Sequence, residues 1–429
     1  MLNFNIVSIF PEFFTSPLST SLIGKANNSK LINYNFYNPR DFSQDKHKHT
    51  DDKPYGGGPG MIMQLPPLVK AINSIENPGK ILLMSPSGKT FTQSMANTFS
   101  KEKNITIICG RYEGIDSRLT EIFPIEEIST ADVVLNGGET AALVIIEAIS
   151  RLIPGFMGKD ISANEESFSQ NLLEYPQYTR PECFEGHIVP ETLLNGNHAE
   201  IYKWRRKKSL SKTLYTRPDL LKNALLTKED AETLREIPRL QISKNLSFCL
   251  IHHPVIVENK NFGTSSLTNL DIHDIGRISC SYAMGSFYIV TPLDDQRQLL
   301  ASIIHHWCNA ERINHQDRAK ALENIVDVST LKQAIEHMHN YHGCEPKLVA
   351  SSAQWPEAKN DKLITPDQIF DLCKKGPVML LLGTAHGLSP EIVKLCDAQV
   401  RPLRFLGYNH LSVRSAAAIL ADRILGDFG

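Results

Sequence analysis

Residues Asn104–Asp116 read NITIICGRYEGID: a short apolar run rich in β-branched side chains stops at Gly110 and gives way to a loop with a second glycine at Gly114. A run of that length closed by glycine reads as a buried strand feeding a loop, not as a helix. The same pattern recurs outward in both directions, in FNIVSIFP (Phe4–Pro11), KILLMSPSG (Lys80–Gly88), FYIVTP (Phe287–Pro292), KLVAS (Lys347–Ser351) and PVMLLLGTAHG (Pro377–Gly387). Helical patterns lie between them, above all ETAALVIIEAISRLI (Glu139–Ile153) and SVRSAAAILADRIL (Ser412–Leu425). Strand and helix therefore alternate in both halves, which specifies an α/β protein with parallel sheets covered on both faces.

A chain of 429 residues exceeds what one hydrophobic core ordinarily serves, so two or more domains are expected. Residues 200–240 break the alternation, being helical in pattern and charged, and a linker is expected at Arg239–Leu246, where a new strand-rich region begins. The second half repeats the architecture of the first without repeating its sequence. The 41% hydrophobic and 21% charged content is ordinary for a packed globular protein and argues against disorder. A formal net charge of −2 excludes a protein that coats nucleic acid by bulk charge, so any RNA contact must be concentrated in a patch. The eight cysteines are scattered, with no C-x-x-C pair, as expected of reduced thiols in a cytoplasmic protein. The start, MLNFNIVSIFP, lacks a basic leading region and its apolar stretch is short. No later run reaches membrane-spanning length, so neither a secretory signal nor a membrane anchor is expected.

The run DDKPYGGGPGM (Asp51–Met61) packs four glycines and two prolines into eleven residues, a density that demands tight turns and close backbone approach. It lacks the G-K-[ST] ending of a nucleoside-triphosphate loop. Three further loops follow strands in the same half: SPSG (Ser85–Gly88), CGRYEGID (Cys109–Asp116) and ADVVLNGGE (Ala131–Glu139). Ligands of open α/β sheets sit beyond the carboxyl ends of the strands, so these loops are expected to line one cleft.

In chain order, PYGGGPGM (Pro54–Met61), CGRYEGID, GGE (Gly137–Glu139), SRLIPG (Ser150–Gly155), YTRPECFEG (Tyr178–Gly186) and GNHAEIYKWRRKKSL (Gly196–Leu210) resemble the bacterial tRNA (guanine-N1)-methyltransferases. The resemblance implies a SPOUT-type fold, an α/β sheet with a deep trefoil knot, a homodimer, and S-adenosylmethionine bound bent at the dimer interface. It implies methylation of N1 of the guanine at position 37, immediately 3′ of the tRNA anticodon. The methyl donor carries no phosphate, which accounts for glycine loops without a lysine. By position it falls to Ser85, Pro86 and Gly88, to Gly110 and Tyr112, and to the stretch from Ser129 through Val133 and Leu135 to Gly137 and Gly138. Glu113 is a further carboxylate of this cleft, linked in the family to Mg²⁺-assisted reaction.

Guanine N1 carries a proton and becomes a good nucleophile as that proton leaves and charge grows on O6, so the chemistry needs one base and one cation. By resemblance the cation is Arg151 and the base lies in SANEESF (Ser162–Phe168). The family pattern has aspartate there. This chain has Glu166, preceded by Glu165, and so keeps the carboxylate on one more methylene.

For RNA, KWRRKKSLSKTLYTR (Lys203–Arg217) holds seven basic residues and no acidic one. Lys203, Arg205, Arg206, Lys207 and Lys208 are its phosphate-binding candidates, while Trp204 and Tyr215 either stack on bases or anchor the helix to its own core. KHKHTDDK (Lys46–Lys53), with His47 and Asp51, precedes the glycine loop and suits reading a flipped base edge.

From about Leu246 the pattern is a different one. LLLGTAHGLSPEIVKLCD (Leu380–Asp397) and YNHLSVRSAAAILADRIL (Tyr408–Leu425) resemble the last two motifs of the SPOUT ribose 2′-O-methyltransferases. That assigns a second donor site to Gly383, Gly387, Leu411 and Ser412. The family's glutamate after the first glycine is missing, and His410 stands where its asparagine precedes the serine. TNLDIHDIGRISCSYAMG (Thr268–Gly285) resembles the family's first motif, with Arg277 as candidate catalytic residue and Asp271 in place of asparagine. The other reading of this half is a non-catalytic module that binds tRNA or holds the dimer. HMHNYHGC (His337–Cys344) concentrates histidines without a standard zinc spacing, so no metal site is assigned. The expected division is 1–160 for the first SPOUT-type domain, 161–242 for the loop with the catalytic carboxylate and a helical tRNA-binding region, and 245–429 for the second SPOUT-type domain.

Overall fold

The computed structural model describes residues 1–157, 166–237, 241–258, 261–308, 316–354, 362–404 and 406–426. Its contacts divide the chain into two units, Met1–Leu226 and Thr227–Gly429. The division precedes the linker read at Arg239–Leu246, because the helix Lys228–Glu236 groups with the second unit.

In the first unit the strands β1 (Leu2–Val7), β2 (Ile32–Tyr37), β3 (Lys80–Thr90), β4 (Asn104–Cys109) and β5 (Ile125–Ser129) form one sheet in the order β2-β1-β4-β3-β5. Every pairing is parallel. Side chains alternate between the two faces of a strand, and here both faces are apolar. Phe4, Ile6, Ile105 and Ile107 pack with Ala142, Ile145, Ile146 and Ile149 of helix α1 (Glu139–Ser150). Val7, Ile81, Leu83 and Ile108 pack on Leu68, Ala71 and Ile72 of the helix Leu65–Asn73 on the other side. Burying each of the larger side chains among these, Phe, Val, Leu or Ile, contributes about 1.5–3 kcal/mol.

Two local readings are corrected. SPSG is not a loop that ends its strand. It is a bulge between Met84 and Lys89, after which β3 resumes pairing with β5 at Lys89 and Thr90. Gly88 makes this feasible, since a Cβ there would lie 2.4 Å from the backbone of Glu127 and Ile128. Helix α1 ends at Ser150, not Ile153. Leu152 and Ile153 form tighter turns onto Ile149 and Ser150, and Pro154 bars the residue before it from continuing a helix.

The second unit is built on β6 (Leu246–Ile251), β7 (Phe287–Val290), β8 (Ile325–Val328), β9 (Lys347–Ala350), β10 (Leu363–Ile364), β11 (Val378–Gly383) and β12 (Ala398–Val400). They form an all-parallel sheet in the order β8-β7-β6-β11-β9-β12-β10. With the outer strands β8 and β10 set aside, this order matches that of the first unit strand for strand. One face carries α3 (Asn269–Ser281) and α4 (Val413–Leu425), whose Ile272, Ile275, Ala417, Leu420 and Ile424 cover Leu246, Phe248 and Leu250. The opposite face, with Cys249 and Ile251, packs on Leu331, Ala334 and Met338. Among the described residues no helix is long and apolar enough to cross a membrane.

Candidate active sites

In the first unit the bulge within β3 and the loops after β4 and β5 line one cleft of about 520 Å³, a size ordinary for a small-molecule site. Ser85, Pro86, Gly110, Tyr112, Glu113, Ser129, Val133, Leu135, Gly137 and Gly138 all line it; Gly88 does not, and acts through the bulge instead. The segments are held by backbone contacts that exclude side chains. The Gly138 N–H donates to the Gly110 carbonyl at 2.9 Å. A Cβ on Gly138 would lie 2.8 Å from Cα of Cys109, and one on Gly137 would lie 2.3 Å from Nε of Arg111. Tyr112, Val133 and Leu135 are 47%, 55% and 44% exposed, so the cleft has an open apolar rim.

Beneath it lies a pair that the sequence reading passed over. Glu139, 1% exposed at the start of α1, stands 2.9 Å from Arg111 Nε and accepts a 2.7 Å hydrogen bond from the Ser8 hydroxyl. The Arg111 contact is a close ion pair without the alignment of a hydrogen bond. The Arg111 guanidinium also stacks on Phe10 at 4.6 Å. These two charges join the loop after β4 to the helix after β5. The available signal was their position, each one residue from a glycine the motif required.

The glycine-rich run forms a hairpin, with Asp51–Asp52 pairing antiparallel to Ile62–Met63. Gly56, Gly57, Gly58 and Gly60 all take positive φ, between 77° and 128°, where side chains are strained. The hairpin is fastened to the cleft: the Met63 N–H donates to the Gly114 carbonyl at 3.0 Å and the Glu113 N–H to that of Met61 at 3.0 Å. Asp51 lies beside the Tyr112 phenol, whose pKa is raised by burial and by that carboxylate. His47 is exposed, with its ring 5.6 Å from that of His49.

Arg151 caps the C-terminal end of α1 and its Nη2 donates to Glu166 Oε1 at 2.7 Å. The two residues read as cation and base are thus in contact; Glu165 lies outside the described residues. Glu166 does not line the glycine-loop cleft. It lines a second one of about 470 Å³, between the segment around residues 166–175 and helix α2 (His198–Thr216). The Ser209 hydroxyl donates to the Leu173 carbonyl at 2.6 Å and the Leu173 N–H to Thr213 Oγ1 at 2.8 Å, which straps that segment to α2.

The basic run on α2 divides by face. Arg205 stacks over Tyr175 at 4.8 Å and Arg206 donates to Gln170 at 2.9 Å, both turned onto the 170–175 segment. Lys203, Lys207 and Lys208 are exposed. Trp204 is half-buried, against Tyr178 and Lys208, while Tyr215 is 52% exposed.

In the second unit the loops after β11 and β12 occupy the topological places of the first unit's loops after β4 and β5; Gly383 ends β11, and the loops carry Gly387, Leu411 and Ser412. Gly387 has φ +108°, and its carbonyl accepts from the Ile256 N–H at 2.9 Å. Leu411 is 44% exposed, and Ser412 caps α4 by accepting from the Ser415 N–H at 3.3 Å. Arg277 is exposed on α3. Asp271, the departure from asparagine, is ion-paired with Arg414 at 3.2 Å, and Arg414 reaches Asp274 at 3.5 Å. Arg414 therefore supplies the charge that a buried aspartate needs.

At the end of β6, His252 is 1% exposed. Thr384 donates to the Ile251 carbonyl at 2.9 Å, so Ser265 donates to Thr384 and His252 Nδ1–H to Ser265 at 2.9 Å. Burial pushes the ring down to about 4, against the opposing pull of Asp271. In the histidine-rich run, His337 Nδ1 lies 3.1 Å from the Tyr288 hydroxyl and His339 lies 3.6 Å from Glu345.

Two parallel sheets, each with glycine loops near the carboxyl ends of its strands, form the kind of crevice in which α/β proteins hold small ligands, and residues 245–426 match the family described as SAM-dependent RNA methyltransferase. The chain belongs to the tRNA (guanine-N1)-methyltransferase family, since residues 2–223 match the family described as tRNA (Guanine-1)-methyltransferase TrmD. It is 52% identical to a tRNA (guanine-N(1)-)-methyltransferase of Nitratidesulfovibrio vulgaris, over 98% of this chain and 99% of that one. It is 49% identical to one from Oleidesulfovibrio alaskensis, over 99% and 100%. A shorter relative, from Caldanaerobacter subterraneus, is 54% identical over 54% of this chain but 97% of its own length. The activity is thus S-adenosylmethionine-dependent methylation of tRNA guanine N1. Gly137 and Gly138 line the glycine-loop cleft and pack so closely on Arg111, Glu139 and Cys109 that neither admits a Cβ.

Proposed function

We propose that the first unit methylates N1 of the guanine at tRNA position 37, 3′ of the anticodon, with Glu166 as base and Arg151 as the cation beside it. The carrying observation is their 2.7 Å contact. S-adenosylmethionine supplies an electrophilic methyl group on sulfur. Glu166 takes the N1 proton, and Arg151 offsets the charge growing on O6. The donor residues are those named for the glycine-loop cleft, with Glu113 the carboxylate for an assisting Mg²⁺. RNA is held by Lys203, Arg205, Arg206, Lys207 and Lys208, and by His47 and Asp51 at the hairpin.

Within one chain, Glu166 and the glycine loops line separate clefts. This supports a homodimer in which a partner meets the exposed rim of Tyr112, Val133 and Leu135. A trefoil-threaded chain, a cytoplasmic location and the division 1–160, 161–242 and 245–429 belong to the same reading.

The second unit, in this proposal, methylates a ribose 2′-hydroxyl of the same tRNA, with Arg277 lowering the hydroxyl's pKa and Gly383, Gly387, Leu411 and Ser412 at the donor. A non-catalytic, tRNA-binding or dimerising unit is the other reading, favoured by the missing glutamate after Gly383 and by His410 in place of asparagine. Mass spectrometry of nucleosides after incubation with unmodified tRNA and labelled S-adenosylmethionine decides between them. The expected result is two methylated products from the wild type, loss of N1-methylguanosine alone in Glu166→Ala, and loss of the second alone in Arg277→Ala. A single product from the wild type refutes the second enzyme.

A further inference from the structure

We propose that Arg401, Arg404 and Arg423 of the second unit form a cleft that binds a phosphodiester of the RNA backbone. The proposal rests on the reading of this unit as one that handles RNA. The three arginines, with Asp367 and the apolar Leu403 and Leu406, line a cavity of about 480 Å³. Three guanidiniums face one carboxylate there, in a chain whose formal net charge is −2. Like charges gathered in one cleft repel each other and raise its potential toward anions.

Neither Arg404 nor Arg423 is ion-paired among the described residues. Arg423 Nη1 donates to the Leu403 carbonyl at 3.1 Å, which fixes the guanidinium in the last turn of α4 and ties it to the loop after β12. A guanidinium has five N–H donors in a planar fork, so the rest of Arg423 stays available. Such forks match phosphate oxygens two at a time, where a lysine offers only a point charge. Leu406, 65% exposed beside these cations, gives an apolar surface for the ribose or base next to the phosphate. Arg401 and Arg404 lie on the chain segment that goes on to Leu411 and Ser412. A phosphate bound there sets the RNA backbone on the loop whose far end carries the donor candidates. None of the three arginines belongs to the basic run on α2 of the first unit, so their effect on binding is separable from it.

The test measures binding of unmodified tRNA transcript to the full-length protein over a range of salt concentrations, for the wild type, Arg404→Gln, and Arg404→Gln with Arg423→Gln. Arg404 is exposed, so the single variant keeps its fold. Thermal unfolding and N1-methylguanosine formation at saturating tRNA check the double variant. The expected result is a several-fold loss of affinity per arginine at physiological salt, with the slope of log K against log salt flattening by about 0.7–0.9 per arginine. Unchanged affinity and slope in a folded double variant overturn the proposal. It is also overturned if inorganic phosphate raises the melting temperature of the wild type but not of the double variant while tRNA binding is equal, because the cleft then serves a free anion. If binding falls as expected while the wild type makes only one methylated nucleoside, the cleft stands and the second enzyme does not.

Discussion

Glu166 carries its carboxylate one methylene further than the family's aspartate, and the 2.7 Å contact with Arg151 shows where that reach ends. Replacing Glu166 by Gln keeps the size and removes the proposed base. Turnover to N1-methylguanosine is expected to fall about 10²–10⁴-fold with S-adenosylmethionine affinity unchanged, as read by single-turnover kinetics and calorimetry. Glu139 has a different task. Glu139→Gln leaves Arg111 beside a neutral amide; because the Arg111 side chain is 21% exposed, the cost is below the roughly 3–5 kcal/mol of breaking a fully buried pair. The denaturant midpoint of the first unit should drop accordingly; an unshifted midpoint would show that the pair is dispensable. His252 sets a pH dependence. Its ring titrates near 4 in the folded state and at about 6.5 when unfolded. Between those values the unfolded chain binds more protons, so this contribution is complete above about pH 6.5 and is lost as pH falls towards 4, amounting to at most about 3 kcal/mol. His252→Gln should flatten the pH dependence of the second unit's unfolding over that window, and curves parallel to the wild type's refute the assignment.

At the scale of elements, the glycine loops were legible because their backbone demands leave few alternatives: Gly137 and Gly138 admit no Cβ, and the four glycines of the hairpin take positive φ. The strands were legible too, because both faces of each sheet are apolar. What stayed hidden depends on partners distant in sequence. SPSG reads as a turn until β5 is known to resume pairing beyond it. The basic run reads as one patch until the 170–175 segment claims Arg205 and Arg206. Arg401 and Arg404 follow β12 and Arg423 lies a helix away on α4, so the three make no local pattern. The division within α2 leads to an expected contrast. Replacing Lys203 and Lys208 by Gln should weaken tRNA binding and flatten its salt slope by about 1 for each phosphate no longer neutralised, with the melting temperature unchanged. Replacing Arg205 and Arg206 should also lower the melting temperature, because it unpins the segment that carries Glu166. Equal thermal stability in the two double variants would show that the stacking on Tyr175 positions nothing.

For the whole molecule, the question is whether two sheets of matching strand order act as two enzymes or as one enzyme with an appendage. The Caldanaerobacter relative matches 54% of this chain and is covered over 97% of its own length, while residues 2–223 of this chain carry the tRNA (Guanine-1)-methyltransferase match. The relatives from Nitratidesulfovibrio and Oleidesulfovibrio are matched over 99% and 100% of their lengths, so the two-unit arrangement is not peculiar to this chain. A fragment of residues 1–242 is therefore expected to fold and to form N1-methylguanosine at the full chain's kcat. Its KM for tRNA should rise several-fold, because the phosphate-binding arginines of the second unit are gone. The split between the two constants is what discriminates. Removing a second catalytic centre alone leaves both constants for N1-methylation untouched and abolishes only the other product. Removing an RNA-holding surface raises KM at constant kcat, since the binding it supplies is shared by ground and transition states. A fall in kcat itself would mean that the second unit shapes the first unit's site, and would reject the view of the chain as two separable modules.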